Sequence, residues 1–105
     1  MDAIFKALAD PTRRQLLDSL LDTGGQTLTE LIGGLDMRRQ SAAKHLAILE
    51  DSGLISCQWH GREKRHYLNP VPIAEIGRRW IDKFSGDKAA AILNLKNALE
   101  DIEHD

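Results

Sequence analysis

The chain of 105 residues is long enough to form one domain with its own core, and its 42% hydrophobic and 29% charged residues are typical of a globular protein. No apolar run approaches the roughly 20 residues of a bilayer span, and Asp2 and Lys6 interrupt the N-terminal stretch where a signal peptide would stay apolar. A single cysteine, Cys57, excludes an internal disulfide. We therefore expect one domain over residues 1–105, in the cytoplasm and without a membrane partner.

The formal net charge of −2 conceals two regions of opposite charge. Residues 38–67 contain six basic and three acidic side chains, a balance of +3. Residues 87–105 contain two lysines and five carboxylates, a balance of −3. This separation indicates a positive surface that faces a polyanion and a tail kept away from it. A solvated basic face without a ligand is the alternative.

Helical spacing of apolar residues marks the first two predicted helices. Ile4, Phe5 and Leu8 predict the first of them. The second begins with Asp10 as a candidate N-cap and Pro11 in its first turn, and a Thr-Gly-Gly sequence ends it. Its predicted buried stripe consists of four leucines: Leu16, Leu17, Leu20 and Leu21.

A capping box and a glycine turn define the next two helices. Thr27 and Glu30 have the spacing in which each side chain accepts a hydrogen bond from the other residue's amide, which predicts the start of a short helix. Two glycines turn the chain, and a longer helix follows over about residues 38–51, ended by Gly53. Its core-facing positions are spaced at i, i+4 and i+7: Ala42, Leu46 and Leu49.

From Leu54 onward the apolar period changes to two. Ile55, Cys57 and Trp59 fall on one side, which predicts a strand. The segment HGREKR predicts a turn and HYLN a second strand, so that residues 62–65 form the basic tip of a β-hairpin.

Two further helices complete the predicted fold. Apolar residues from Ile73 to Phe84 recur at helical spacing. The last helix, from about residue 87, has the apolar spacing of a seam between helices, either between two subunits or within one. The resulting order, α-α-α-α-β-β-α-α, mainly α with a small β-hairpin, describes a winged helix-turn-helix.

The helix over residues 38–51 is suited to the major groove of DNA. Arg39, with Arg38 as the alternative, is predicted to read guanine, and Gln40 to read adenine. Small residues at Ala43 and Ala47 let the backbone approach the bases. The wing, residues 60–66, is predicted to follow the backbone or enter the minor groove. The predicted phosphate contacts are polar residues of both elements: Ser41, Lys44, His45, Arg62, Lys64 and Arg65.

The sequence resembles the ArsR/SmtB winged-helix repressors of bacteria and archaea from about Ile4 to Asn69. LADPTRR followed by KHLAILEDSGLI is highly characteristic of that family, and GREKRHYLN resembles its wing. The resemblance implies a homodimer that represses transcription from a pseudo-palindromic operator until a signal releases it. The sequence leaves open whether that signal is an unknown small-molecule effector or a partner protein, or whether repression is constitutive. It also implies a dimer interface formed by the first and last helices: Ile4, Phe5, Leu8, Ile92, Leu95, Leu99 and Ile102.

The metal sites of the family are not reproduced. Thr27 and Thr29 stand where arsenic- and cadmium-sensing relatives carry a Cys-x-Cys pair, so we expect no metal or other cofactor. Zinc-sensing relatives use Asp and His ligands on the last helix, where Asp101 and His104 are the candidates here. A zinc-responsive repressor therefore remains an alternative.

Other polar positions also admit two interpretations. Arg38 stands where relatives often place a capping serine, and Asp36 is the candidate substitute. Cys57 is interpreted as a small buried hydrophobe and not as a sensor thiol. His60 and His66 flank the wing turn, either as a pH- or metal-responsive pair or as ordinary surface or phosphate-binding residues.

Function classes other than DNA binding find less support. The sequence has no Ser-His-Asp set, no glycine-rich phosphate loop and no paired carboxylates, so we predict that it is not an enzyme. A winged-helix module that binds another protein is the remaining alternative. Such a surface would present aromatic and Met anchors, whereas the predicted face is basic.

Overall fold

The computed structural model describes residues 2–83. Residues 2–72 lie in one compact unit, and residues 73–83 belong to a second. The helices and strands are, in chain order, α1 (Asp2–Leu8), α2 (Pro11–Asp22), α3 (Leu28–Gly33), α4 (Arg39–Asp51), β1 (Ile55–His60), β2 (Glu63–Leu68) and α5 (Val71–Lys83). They confirm the mainly helical winged helix-turn-helix. The predicted seam of the last helix (Ile92, Leu95, Leu99 and Ile102) and the candidates Asp101 and His104 lie outside the described residues.

Helix α2 begins as its sequence predicts. The Asp10 carboxylate accepts hydrogen bonds from the amides of Thr12 at 2.8 Å and Arg13 at 3.2 Å. The bond from the Arg13 amide, followed by that from Thr12, holds the pKa of Asp10 below its usual value. Leu16, Leu17 and Leu20 are buried as predicted.

The prediction that Leu21 is buried is wrong. Leu21 is 69% exposed to solvent. At 3.6 residues per turn, Leu21 lies about 140° around the helix from Leu16, at the outer edge of the stripe. The core-facing residues of α2 therefore end at Leu20.

The capping box of α3 is confirmed, and the cap of α4 differs from the prediction. The Glu30 amide donates to Thr27 Oγ1 at 3.2 Å, and the Thr27 amide donates to Glu30 Oε1 at 3.3 Å. At the start of α4, Arg38 is the N-cap and no side chain caps the helix, so the expected substitution by Asp36 is wrong. Without a side-chain cap, the first amides of α4 are left for solvent or a ligand.

Helix α4 ends in a Schellman motif. The Leu54 amide donates to the Leu49 carbonyl and the Gly53 amide to the Glu50 carbonyl, both at 3.0 Å. Gly53 has a φ of +82°, the left-handed conformation that this motif requires. Leu49 and Leu54 are both fully buried. The motif therefore fixes the turn from α4 into the hairpin.

The antiparallel hairpin has a shorter loop than its sequence predicts. Its register runs from Ile55 paired with Leu68 to His60 paired with Glu63, which leaves a two-residue loop of Gly61 and Arg62. Gly61 has a φ of +65°, as tight hairpin loops demand of a central position. The interpretation of Lys64 and Arg65 as tip residues is therefore wrong, since both lie within β2.

A short bridge ties β2 to the segment between α2 and α3. The His66 amide donates to the Gln26 carbonyl at 2.9 Å, and the Gly25 amide donates to the His66 carbonyl at 2.8 Å. Gly25 has a φ of +80°, and a Cβ there would lie only 3.2 Å from the Tyr67 hydroxyl. The bridge therefore depends on glycine at this position.

His66 is a structural residue of this bridge. It is 4% exposed and lies opposite Cys57 in the register, not opposite His60. Its Nδ1 lies 2.8 Å from the Gln26 carbonyl oxygen. Both interpretations made from the sequence, a pair with His60 and a surface residue, are therefore wrong.

The core of the first unit lies between the helices and the hairpin. It comprises buried residues of α1, α2, α3, α4, β1 and the turn before β1: Ala7, Leu16, Leu17, Leu20, Leu31, Leu46, Leu49, Leu54 and Ile55. Helix α5 confirms the predicted helix that contains Ile73, although it begins two residues earlier, at Val71. Over residues 2–83, we find no helix with the length and apolar character that a membrane span requires.

Candidate nucleic-acid interface

Helix α4 separates its core face from a polar face. Ala42, Leu46 and Leu49 are buried. Exposed positions around the rest of the helix include Arg39, Gln40, Ser41, Ala43, Lys44 and Ala47. Long side chains lie at the N-terminal end and alanines further along, so the helix is slender where it would enter a groove.

The Arg39 side chain is oriented by the preceding helix. Its Nη1 donates to Thr29 Oγ1 at 3.0 Å, across the turn of the helix-turn-helix. A guanidinium has five N–H donors in a planar fork, so this bond leaves enough of them for a bidentate contact. Thr29, which is predicted to match a thiol position of metal-sensing relatives, therefore orients the Arg39 side chain instead.

His45 is held by a residue of α2. Its Nδ1 lies 3.3 Å from Arg13 Nη1, and because arginine can only donate, Nδ1 is the acceptor and the ring proton is on Nε2. Arg13 also donates from Nε to the Ala7 carbonyl at 2.8 Å and from Nη2 to the Lys6 carbonyl at 2.9 Å. It thus joins the end of α1 to α4. A phosphate contact of His45 stays a prediction, with Nε2 as its donor.

The three basic residues of the wing have different surroundings. Arg62 is exposed in the loop, and its guanidinium has no hydrogen-bond or ion-pair partner among residues 2–83. Lys64 Nζ lies 3.0 Å from Glu50 Oε2. Arg65 donates to the Gly25 carbonyl at 3.0 Å and to Glu63 Oε2 at 2.8 Å. Arg62 is therefore the wing cation best placed to meet a phosphate.

The ion pair between Glu50 and Lys64 joins the end of α4 to the wing. Its hydrogen bond lowers the pKa of Glu50 and raises the pKa of Lys64. The stabilisation is lost only as the pH falls through the lowered pKa of Glu50 or rises through the raised pKa of Lys64, so the pair persists across neutral pH.

Burial, with the Glu50 carboxylate adding to it, raises the pKa of the neighbouring Cys57 thiol. A thiol with a raised pKa is a poor nucleophile, in agreement with a structural role.

Glu50→Gln is expected to strengthen binding to all DNA duplexes severalfold, because it releases Lys64 to meet a phosphate. Asp51→Asn is the matched control, because Asp51 is the adjacent exposed residue of the same helix and its substitution removes the same negative charge. Fluorescence anisotropy with a labelled duplex at pH 7 measures both. An equal gain in the two variants would show that net charge alone acts, and a loss in Glu50→Gln would show that Glu50 positions Lys64.

A cleft of about 650 Å³ lies between the helix-turn-helix and the wing. Its walls combine cations with hydroxyl and apolar groups from α3, α4 and the hairpin. They include Thr29, Arg39, Ala43, Trp59, Arg62 and Lys64. The cleft thus brings the start of α4 and the wing loop, which are separated in sequence, onto one side of the first unit.

The two threonines at the thiol positions are both engaged in the helix-turn-helix. Thr27 caps α3 and Thr29 accepts from Arg39. The part of the chain that the structure describes contains no group of three or more His, Cys, Asp or Glu residues able to hold a metal ion.

Comparisons with known proteins agree with this geometry. A family profile described as a helix-turn-helix domain matches residues 8–58. The uncharacterized HTH-type transcriptional regulator YuzN of Bacillus subtilis is 40% identical to this chain. The alignment covers 77% of this chain and 95% of YuzN. The transcriptional repressor SdpR of Bacillus subtilis is 36% identical, and the alignment covers 71% of this chain and 82% of SdpR. The crystal structure of an ArsR family transcriptional regulator is 35% identical, with a TM-score of 0.68 over 78% of this chain and 84% of its own.

A helix-turn-helix followed directly by a β-hairpin defines the winged-helix fold. Together with the extent of these similarities, it shows the family: the chain belongs to the ArsR family of transcriptional regulators. The resemblance seen in the sequence is confirmed. Because members of the family are transcriptional regulators, the prediction that the chain is not an enzyme is confirmed as well.

Several residues of the site are not evident from the sequence. Arg13 lies within the LADPTRR motif, but only the fold shows that it contacts His45. Glu50 and Lys64 are 14 positions apart, and no local pattern pairs them. Trp59 falls on the same side of β1 as buried Ile55, as the alternation predicts, but the alternation does not show that Trp59 is 67% exposed.

Proposed function

We propose that this chain is a sequence-specific transcriptional repressor that binds a pseudo-palindromic operator as a homodimer in the cytoplasm. The observation that carries the proposal is the cleft, because it joins the polar face of α4 to the wing loop on one side of the first unit. SdpR, a relative that is 36% identical, is a transcriptional repressor, which supports repression as the outcome of binding.

In the proposed complex, α4 lies in the major groove. Arg39 donates to O6 and N7 of a guanine, and Gln40 bonds an adenine. Exposed Ala43 lets the helix backbone come close to the base edges. Ser41 and Lys44 bond the flanking phosphates, and Arg38 meets a phosphate near the uncapped amides of α4, where the helix dipole favours negative charge.

The wing adds contacts beyond the major groove. Arg62, at the hairpin loop, reaches the backbone or the adjacent minor groove. Lys64 contributes when it exchanges Glu50 for a phosphate, whereas Arg65 chiefly holds β2 against Gly25. Contacts to the backbone fix the register of the protein on DNA, and those of α4 specify the sequence.

The homodimer brings two such surfaces to successive half-sites. In α1, Phe5 is 45% exposed while Ile4 and Leu8 pack against the core from the edge, so the helix offers an apolar side to a partner. The helix that the sequence predicts from about residue 87 would complete this interface with Ile92, Leu95, Leu99 and Ile102. Release from DNA is assigned to an effector, and a small molecule is the proposed class.

The expected dependence of binding on salt tests this function. If four basic side chains per subunit, Arg38, Lys44, Arg62 and Lys64, contact phosphates, a dimer makes about eight such contacts, and log K falls against log [salt] with a slope of about −7. Titration of duplexes selected from random sequence at several salt concentrations gives the slope, and sedimentation of the complex gives its stoichiometry. A salt-independent complex, or no DNA binding, would favour a protein-binding module instead.

A further inference from the structure

Trp59 occupies an unusual position on the hairpin. It lies on the same side of β1 as Ile55 and Cys57, and its partner in the register is Lys64. Exposure increases along this side of the strand: Ile55 is buried, Cys57 is half-buried, and Trp59 is 67% exposed. The core-facing side of the hairpin therefore continues past the end of the core and presents a large aromatic ring to solvent.

The surroundings of this ring are cationic. Trp59 lines the cleft together with Arg39 at the start of α4 and Arg62 at the wing loop. The carboxylates in the same cleft are already engaged, Glu30 with Thr27 and Glu63 with Arg65. A ligand that fits these walls is a polyanion with an apolar surface of its own.

We propose that Trp59 packs against the deoxyribose–phosphate backbone of the DNA strand that passes through this cleft. This inference rests on the proposed function: when α4 occupies the major groove and the wing reaches the adjacent minor groove, the strand that separates the two grooves crosses between them. The indole face covers sugar carbons, and its Nε1–H is a donor for a phosphate oxygen. Trp59 is thus an uncharged affinity residue of the interface, insensitive to base sequence.

Fluorescence of Trp59 provides the direct test. Trp80→Phe leaves Trp59 as the only tryptophan of the chain, and a random-sequence 30-base-pair duplex at low salt is the probe. We expect the emission of Trp59 to change on saturation with duplex and its quenching by acrylamide to fall about threefold, since a stacked ring is shielded from solvent. If Trp80→Phe does not fold, the difference between the unaltered chain and Trp59→Phe gives the same signal.

Affinity and salt dependence distinguish this role from that of a cation. Trp59→Ala is expected to weaken binding to all duplexes about tenfold with an unchanged salt slope, because no counterion contact is lost. Arg62→Ala, the matched control, should reduce the slope by about one per subunit. Trp59→Phe should retain most of the affinity, and thermal unfolding should show that these variants remain folded.

The outcomes separate this inference from the proposed function. If the unaltered chain binds no duplex, the proposed function fails and this inference fails with it. If the chain binds duplex but Trp59 stays as accessible to acrylamide as before, or Trp59→Ala binds as tightly as the unaltered chain, this inference alone is overturned.

Discussion

Arg39→Ala is expected to weaken binding to the operator by about 1–3 kcal/mol per half-site, roughly 5- to 150-fold for each, and to change binding to random duplex far less. The reason is geometric. Arg39 is the first residue of α4, and Thr29 already holds one of its donors at 3.0 Å, so the guanidinium is oriented before DNA arrives. A base contact that is preorganised in this way contributes discrimination more than general affinity. Competition between operator and random duplexes, followed by fluorescence anisotropy, measures both quantities.

Two variants control this prediction. Arg39→Lys keeps the charge and loses the planar fork, so it should behave almost like Arg39→Ala on the operator while preserving binding to random duplex. Lys64→Ala removes a phosphate contact and should weaken all duplexes alike. Equal losses on operator and random DNA in the Arg39 and Lys64 variants would show that Arg39 does not read a base.

Features encoded by neighbouring residues could be predicted from the sequence. The cap of α2 by Asp10 and the capping box of Thr27 and Glu30 depend on residues two to three positions apart, and both are present. The separation of faces on α4 follows from helical periodicity alone, and Ala42, Leu46 and Leu49 are buried as predicted. Local hydrogen-bonding rules and periodicity therefore suffice for the helix-turn-helix and the face it exposes.

Features that join distant segments could not be predicted in this way. His66 is buried because it meets Gln26, 40 positions away, and no local pattern signals that bridge. The pairing of Lys64 with Glu50 likewise depends on how the wing folds back over α4. The hairpin loop is shorter than predicted because a run of charged residues resembles a longer turn, whereas the positive φ of Gly61 permits a two-residue loop.

The charge balance of the wing shows how contacts between distant segments change the surface that DNA would meet. Counted from sequence, Arg62, Lys64 and Arg65 are three equivalent cations. In the structure, Lys64 is paired with Glu50, which a phosphate has to displace, Arg65 is bound to Glu63 and Gly25, and Arg62 has no such partner within residues 2–83. The wing therefore presents one free cation at its loop, which makes an uncharged contact such as that of Trp59 more important to affinity.

Leu49→Ala is expected to have the largest effect on stability, a loss of about 2–5 kcal/mol in the free energy of unfolding. Leu49 is fully buried, and its carbonyl accepts the Leu54 amide in the motif that ends α4. Truncation leaves a cavity beneath the proposed recognition helix. Because domains of this size are stable by only about 5–15 kcal/mol, the variant would lie close to its unfolding threshold.

Ile48→Ala is the matched control, because Ile48 is the preceding residue of the same helix and is 42% exposed. We expect it to change stability by less than about 1 kcal/mol. Urea denaturation at one fixed protein concentration compares the two, since the stability of a dimer depends on concentration. Comparable losses in both variants would mean that the outer face of α4 is also buried, against a partner surface. Such a result would remove α4 from the major groove, because a helix whose exposed face is already covered cannot also read DNA.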